Sequence, residues 1–378
     1  MIRHFLRVLS IGLAGLIPTA LAAETAPGAM ALRFIGEKSI PPHTDVAGTR
    51  VGGLSGLAFN AATNSWIALS DDRSEKAPAR FYTLTLAYDA AAFHDARIDK
   101  AVPLLDTGGQ PFPLRGVDPE ALRLHAGSGA LYWTSEGDTT AGIDPVLRAA
   151  AADGRFLREI KLPARYRVSA DGKIDLKRGP RNNLAFEGLA LSPDAQTLIV
   201  ALENALIQDG PKASLTETSP VRIATFDIAS GQPGPEWVYV TDPIPQAPAK
   251  AGGFADNGVS DILALDDGAL LVMERGYSTG KGNSIRLYRT DKQNATDVSG
   301  IDALAGAAWT PLGKTLVLDL ATLGVALDNF EGMDFGPRLP NGNRTLVLVS
   351  DDNFNDAQVT KFLAFEIVDT AANQGRPH

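Results

Sequence analysis

Two glutamates bracket one predicted hairpin in the middle of the chain. The segment FEGLALSPDAQTLIVALEN, residues 186–204, carries Glu187 at its start and Glu203 near its end, 16 positions apart. Two apolar runs joined by a Ser-Pro-Asp turn predict antiparallel strands, whose outer ends lie side by side. The two carboxylates should therefore meet, and like charges that close are unfavourable unless a cation, a donor or water compensates them.

The same bracketed hairpin occurs five times along the chain. The first residues of successive pairs are 65, 67, 74 and 70 positions apart, so five near-equal units cover most of the sequence. The bracketing pairs are Ser55 and Asp71, Glu120 and Glu136, Glu187 and Glu203, Asp261 and Glu274, and Glu331 and Asp351.

Each unit contains further strand-like runs rich in β-branched and aromatic residues. Third strands are predicted at 80–88, 221–228, 284–289 and 362–368, and fourth strands at 101–105, 156–162, 236–241 and 314–318. Four antiparallel strands per repeat indicate an all-β fold, a β-propeller of five blades, although the long loops leave room for a sixth. The run 31–40 is predicted to close the ring as the outer strand of the last blade, beside 362–368. Two packed β-domains are the alternative.

The repeated acids are predicted to converge at one mouth of the propeller channel. The first strand of each hairpin is small and apolar (GLSGLAF, FEGLAL, FEGMDF), which suits the crowded axis. Carboxylate oxygens in such number favour Ca²⁺, with Mg²⁺ or Mn²⁺ as weaker alternatives. The predicted metal ligands are Asp71, Asp72, Glu120, Glu187, Asp261, Glu331, Asp351 and Asp352. The competing interpretation is structural: acids at strand ends can cap turns and bond the backbone of the next blade.

Composition and the N-terminus limit the class of protein. The 378 residues include 44 Asp and Glu against 35 Lys and Arg, a net charge of −9, which argues against a general nucleic-acid binder. Residues 1–23 have the layout of a secretory signal peptide, which leaves 24–378 as one predicted domain. The chain has no cysteine and no later apolar run of spanning length. We therefore expect a periplasmic or secreted monomer.

Several known hydrolytic motifs are missing. The loop GYSTGKGNS lacks the strand-to-helix context of a phosphate-binding loop, and Gly53-Leu54-Ser55-Gly56 lacks the second glycine of a nucleophile elbow. Zinc is disfavoured because His43, His94 and His125 are scattered along the chain and do not cluster with metal-ligand spacing. Chemistry in this chain must therefore come from the acids and the basic residues beside them.

The series GLSGLAFN with ALSDDR, DPEAL with WTSEGD, NLAFEGLALSPD with ALEN, GVSDILAL with MERGYS, and NFEGMDFG with LVSDDNFN resembles the phytase-like domain family, "esterase-like activity of phytase". The resemblance spans about residues 52–365 and implies a propeller whose acidic residues carry phosphoesterase chemistry. Cations would have to bridge the acids and an anionic small-molecule ester. The expected catalytic residues are Glu136, Glu187, Glu203 and Glu274, and the expected phosphate-binding residues are Arg73, Arg275 and Lys281.

Two other functions fit the same residues. A non-catalytic propeller could use calcium for stability and recognise an envelope partner with its loops. Lactone or carboxylester hydrolysis on a metal-centred propeller would need the same acidic mouth.

Overall fold

A computed structural model describes residues 30–369 except 171, 172 and 176, so the predicted signal peptide lies outside the described residues. The described chain contains 24 strands and two short 3₁₀-helices, Ala164–Tyr166 and Leu320–Leu323. The strands are β1 (Met30–Ser39), β2 (Asp45–Val46), β3 (Thr49–Arg50), β4 (Leu54–Asn60), β5 (Ser65–Ser70), β6 (Arg80–Tyr88), β7 (Phe93–Pro103), β8 (Pro119–His125), β9 (Ala130–Ser135), β10 (Val146–Ala150), β11 (Phe156–Ile160), β12 (Ser169–Ala170), β13 (Lys173–Ile174), β14 (Phe186–Leu191), β15 (Thr197–Leu202), β16 (Pro220–Asp227), β17 (Pro233–Val240), β18 (Ala255–Ala264), β19 (Leu270–Ser278), β20 (Gly282–Asp291), β21 (Gly313–Asp319), β22 (Asn329–Gly336), β23 (Thr345–Asp351) and β24 (Lys361–Asp369).

Twenty of these strands form five four-stranded sheets, which confirms the predicted propeller and its five blades. Blade 1 is β4-β5-β6-β7, blade 2 is β8-β9-β10-β11, blade 3 is β14-β15-β16-β17, and blade 4 is β18-β19-β20-β21. Blade 5 has the order β22-β23-β24-β1, so the N-terminal strand lies beside the C-terminal one as predicted. This pairing closes the ring and covers an edge that would otherwise be open.

The first strand of each blade lies at the axis. Strand β4 packs against β8 and β22, and β14 packs against β8 and β18, while β18 also meets β22. Glycine permits this approach: a Cβ on Gly56 would lie 2.8 Å from the Leu122 nitrogen, and one on Gly332 would lie 2.7 Å from the Ser55 oxygen. A residue larger than glycine at either position would therefore collide with the backbone of the neighbouring inner strand.

Every innermost strand carries a bulge, near the start of β4, β8, β14 and β22 and in the middle of β18, where the pairing with the second strand shifts by one residue. The extra residue is left out of the ladder, and its side chain no longer follows the alternation of the strand; the Ser55 hydroxyl, for example, donates to the Glu120 oxygen of the next inner strand. The bulges fall at or beside Ser55, Glu120, Glu187, Ser260 and Glu331. In blade 4 the bulge is thus at Ser260, one residue before the predicted Asp261.

The apolar core lies between the blades. Alternate residues of neighbouring sheets pack there, with Trp66, Trp133, Tyr239, Phe226 and Phe330 among the largest buried side chains. All the blades belong to one structural unit, Met30–Val368. Within the described residues, we find no helix with the length and apolar character needed to span a membrane.

Candidate functional site: an acidic mouth

A funnel of about 780 Å³ opens at the end of the channel where the bulges lie. Eight carboxylates and two arginines are among its lining residues. They are Asp71, Asp118, Glu120, Glu187, Asp256, Asp328, Glu331 and Asp351, with Arg73 and Arg275. The funnel therefore has a strongly negative wall, which attracts cations and repels anions.

The register of each hairpin positions its acids. Bulged residues Glu120, Glu187 and Glu331 supply one carboxylate from each of three blades. The residue at the end of the second strand supplies the other, since the Glu136 nitrogen donates to the Asp118 oxygen, and the Glu203 nitrogen to the Ala185 oxygen. We call the following eight residues the mouth cluster: Asp71, Asp118, Glu120, Glu136, Glu187, Glu203, Glu331 and Asp351.

Two carboxylate triads lie within the mouth cluster and share one member. Oxygens of Asp118, Glu120 and Glu136 lie within 4.8 Å of one another, and the same holds for Glu136, Glu187 and Glu203. Glu136 is 2% exposed; one of its oxygens accepts a hydrogen bond from the Ala185 nitrogen, and the other is buried with no partner. A buried oxygen left unpaired is costly, so this position has an unused coordination site.

The carboxylates of Glu120 and Glu187 also lack partners among the described residues, and both residues line the funnel. Both are buried, at 8% and 6% exposure, and neither accepts a hydrogen bond from any residue that the structure describes. Hard divalent cations bind such all-oxygen donor sets, and the absence of histidine or cysteine from the triads fits Ca²⁺ better than zinc. The residues present are therefore chemically suited to hold a calcium ion.

Burial and mutual repulsion raise the pKa values of the acids in the mouth cluster. Desolvation, reinforced by neighbouring carboxylates, raises the pKa of Glu120, Glu136 and Glu187 well above the ordinary range. Desolvation also raises the pKa of Asp118 to about 7 and that of Glu203 to about 8, although Arg73 and Arg275 respectively oppose the shift. A bound cation would lower these pKa values again, because it favours the ionised carboxylates.

Blade 4 breaks the pattern and places a cation in the acidic ring. Its bulged residue is Ser260, and Arg275 lies opposite Gly258, where blades 1, 2, 3 and 5 present an acid. The Arg275 guanidinium lies 3.2 Å from Glu331, 3.3 Å from Asp256 and 3.5 Å from Glu203. Arg275 thus neutralises part of the mouth on the side of Glu203, Asp256 and Glu331, whereas Glu120, Glu136 and Glu187 of the two triads form no ion pair with a described residue.

The structure places Asp261 and Glu274 away from the funnel. Asp261 is 1% exposed and pairs with Arg123 at 2.8 Å, because the bulge at Ser260 turns it to the interior. Glu274 lies opposite Val259 on the neighbouring strand. Its carboxylate belongs to a buried network, where it accepts a hydrogen bond from the Tyr239 hydroxyl at 2.7 Å and forms an ion pair with Lys314 at 2.6 Å. Both carboxylates have full sets of partners, as expected for structural acids.

Three more predicted residues lie outside the funnel wall. Asp72 pairs with Arg80 at 2.7 Å and accepts from three backbone nitrogens. Asp352 accepts from the nitrogens of Gly53 and Phe354, and Lys281 is exposed in the turn between β19 and β20. The two aspartates cap turns, which is the structural role that the sequence left open. Arg73 does reach the funnel, 3.5 Å from Asp118 and 3.1 Å from Asp138.

Sequence reasoning missed Asp118 and Asp256 as funnel residues. Asp118 precedes the bulge of blade 2 by two positions and belongs to a triad, while Asp256 holds Arg275. The strand register of the hairpin would have identified Asp118, because it lies opposite Glu136: the Asp118 carbonyl accepts a hydrogen bond from the Glu136 nitrogen, just after β9. No repeat signals Asp256, because it lies in the extra length by which β18 exceeds the other inner strands.

The fold and the mouth define a five-bladed β-propeller with an acidic channel opening. Residues 49–354 match the family described as "Phytase-like: Esterase-like activity of phytase". The chain belongs to this phytase-like family, as its repeated motifs indicated.

Other similarities are more distant. An "Uncharacterized secreted protein" of Arthroderma benhamiae is 27% identical over 200 residues, which is 46% of this chain and 37% of that protein. This chain thus spans well under two thirds of its relative. Among solved structures, an endo-arabinase from Bacteroides thetaiotaomicron matches with 12% identity, 86% and 96% coverage and a TM-score of 0.42. The catalytic domain of an α-L-arabinofuranosidase from Coprinopsis cinerea matches with 10% identity, 90% and 98% coverage and a TM-score of 0.45.

Proposed function

We propose that the protein is an exported, calcium-dependent hydrolase of small phosphoesters that acts at the acidic mouth of the propeller. One observation carries the proposal: two triads of buried carboxylates share Glu136, and one oxygen of Glu136 has no partner. An acid network kept for stability alone would satisfy its oxygens, as Asp261 and Glu274 do. Membership of the phytase-like family supports ester hydrolysis as the reaction.

The two triads would hold the cation. Asp118, Glu120 and Glu136 form one set of oxygens, and Glu187 extends it on the other side of Glu136, whereas Glu203, the remaining member of the second triad, is assigned to proton transfer. A bound divalent cation would neutralise the phosphate oxygens and lower the pKa of a coordinated water. Without it, the negative funnel wall would repel an anionic substrate.

The arginines and acids of the chain have separate roles in this proposal. Arg73 and Arg275 line the funnel and would orient the phosphate oxygens, although each already pairs with acids. Glu203 lies beside Arg275 at the edge of the triads and would exchange a proton with the attacking water or the leaving oxygen. Lys281 and Glu274 receive no catalytic role, because the first lies in an exposed turn and the second in the paired network.

Export is part of the proposal. The signal-like layout of residues 1–23 and a relative described as secreted both favour it.

The test is hydrolysis of a phosphomonoester, a phosphodiester, phytate and a carboxylester by chelator-treated protein that is then titrated with Ca²⁺. We expect calcium-dependent turnover of one phosphoester, and a loss of roughly a hundredfold or more in Glu187→Gln. Glu217→Gln, an exposed loop acid, is the matched control and should retain full activity. Turnover without calcium, or an active Glu187→Gln enzyme, would refute the proposal.

One outcome would favour a non-catalytic propeller instead. If no ester is cleaved while calcium still raises the melting temperature, the ion has a structural role. The propeller would then be a calcium-stabilised recognition domain.

A further inference from the structure

Two aromatic rings stand exposed at the rim of the funnel. Phe254 is 60% and Tyr277 is 36% exposed, and they are the two exposed aromatic side chains among the described residues. Their centroids lie 6.3 Å apart with an interplanar angle of 34°. Other large aromatic side chains that the structure describes are at least partly covered, so an exposed pair in mutual contact marks a recognition surface.

Backbone hydrogen bonds anchor the two segments that carry the rings. The Phe254 oxygen accepts from both the nitrogen and the hydroxyl of Thr279. The Tyr277 nitrogen donates to Asp256 at 2.8 Å, and Asp256 in turn holds Arg275. The rings are therefore attached to the funnel wall by short, fixed segments rather than by a free loop.

A side pocket of about 230 Å³ adjoins the funnel and has Phe254 in its wall. It shares Asn183, Phe254, Asp256 and Arg275 with the funnel, so a ligand can extend from one into the other. The pocket is smaller than a typical drug-sized site and suits a single ring.

The lining of this pocket is polar but not strongly charged. It contains two acids, Glu203 and Asp256, and two bases, Lys212 and Arg275, so its net charge stays small whether or not Glu203, whose pKa burial raises to about 8, is ionised. Amides complete it: Asn183 is exposed, and its side chain makes no hydrogen bond to a described residue. Neutral donors and acceptors beside an aromatic face bind a hydroxylated ring better than an anion or a purely apolar group.

We infer that the Phe254–Tyr277 pair and the adjoining pocket bind a neutral sugar ring of the substrate, which stacks its CH face on the rings and directs its hydroxyls to the Asn183 amide. This assignment of the ring to the substrate rests on the proposed hydrolysis. It narrows the substrate class to glycosyl phosphoesters and away from densely phosphorylated rings, whose charge the pocket does not match.

Binding can be measured without turnover. Saturation-transfer NMR of the full chain with methyl glucoside should show contact with the sugar protons and a weak, millimolar affinity. Phe254→Ala should weaken binding about tenfold, and Phe254→Leu should do nearly the same because it removes the ring face. Leu316→Ala is the matched control: Leu316 is 51% exposed on β21, outside both cavities, and its loss should change nothing.

The outcomes separate this inference from the proposed function. No transfer to the sugar, equal binding by wild type and Phe254→Ala, or binding of phenol in preference to the sugar would overturn it. Glucose 1-phosphate hydrolysis with KM raised and kcat kept in Phe254→Ala would support both proposals. Phe254-dependent sugar binding without hydrolysis of any ester would retain the ring site and refute the hydrolase.

Discussion

Two sets of buried carboxylates derive from the same repeated hairpin and differ in how they are paired. Asp261 and Glu274 of blade 4 have cationic and hydrogen-bonding partners within the fold. Glu120, Glu136 and Glu187 of blades 2 and 3 are buried with few partners or none. The difference teaches that repetition alone does not define a site. The acids whose oxygens lack partners are the ones with capacity to bind something else.

The largest effect should come from breaking the paired set at Arg123. Arg123 binds Asp261 at 2.8 Å and donates to the oxygens of Leu57 and Ile262, so it joins three inner strands at the axis. Arg123→Met would leave Asp261 buried without a counter-charge and should cost about 3–5 kcal/mol of unfolding free energy. Urea denaturation measures it.

The double variant Arg123→Met/Asp261→Asn is the control. Removing both charges should recover a large part of the loss, because the uncompensated charge causes it. A single variant that loses less than about 1 kcal/mol would show that the pair is not important for stability.

Most of the fold could be predicted from sequence, because each repeat unit has nearly the same length and the same order of strand-like runs. The innermost strands, the five blades and the closing strand β1 all follow from period and alternation. Strand β7 begins at Phe93, before the predicted run 101–105, because exposed polar residues alternate through its first half. The third strand of blade 2, Val146–Ala150, is short and its run VLRAA gave no signal.

The site was less predictable, since it depends on a single-residue shift. When the repeats are aligned by their acids, Asp261 is the equivalent of Glu187. When they are aligned by their bulges, Ser260 is the equivalent of Glu187. A shift by one residue turns a strand residue to the opposite face, so Asp261 and Glu274 move away from the mouth and Arg275 moves into it. Spacing within the sequence did not reveal this: the bracketing pairs of blades 4 and 5 are 13 and 20 positions apart against 16 in the other three blades, yet the acids are shifted in blade 4 and not in blade 5.

A matched pair of charge-neutral variants tests the comparison directly. Glu274→Gln removes the carboxylate that pairs with Lys314 and accepts from Tyr239, and should destabilise the protein by about 2 kcal/mol. Glu187→Gln should leave the calcium-free protein as stable or more stable at pH 8, because burial and the neighbouring Glu136 raise the pKa of Glu187 well above its ordinary value.

Thermal denaturation with chelator and with calcium separates the two variants. Calcium should stabilise Glu274→Gln as much as wild type and should stabilise Glu187→Gln much less. Equal calcium responses would place the ion away from the triads.

The smallest effect concerns pH and the mouth cluster alone. Folding raises the pKa of Asp118 from 3.8 to about 7 and that of Glu203 from 4.5 to about 8, chiefly through desolvation. The stability that these groups contribute is complete below pH 4 and is lost as the pH rises through about 7 and then about 8. In chelator, the melting temperature should therefore fall by roughly 3 °C between mildly acidic and mildly alkaline buffer. Saturating calcium should reduce the fall because it favours the ionised acids, and Glu203→Gln should reduce it in chelator because one titrating group is gone. A melting temperature that rises over this interval in chelator would mean that the acids of the mouth are paired as fully as Asp261 and Glu274, and the distinction between the two sets would disappear.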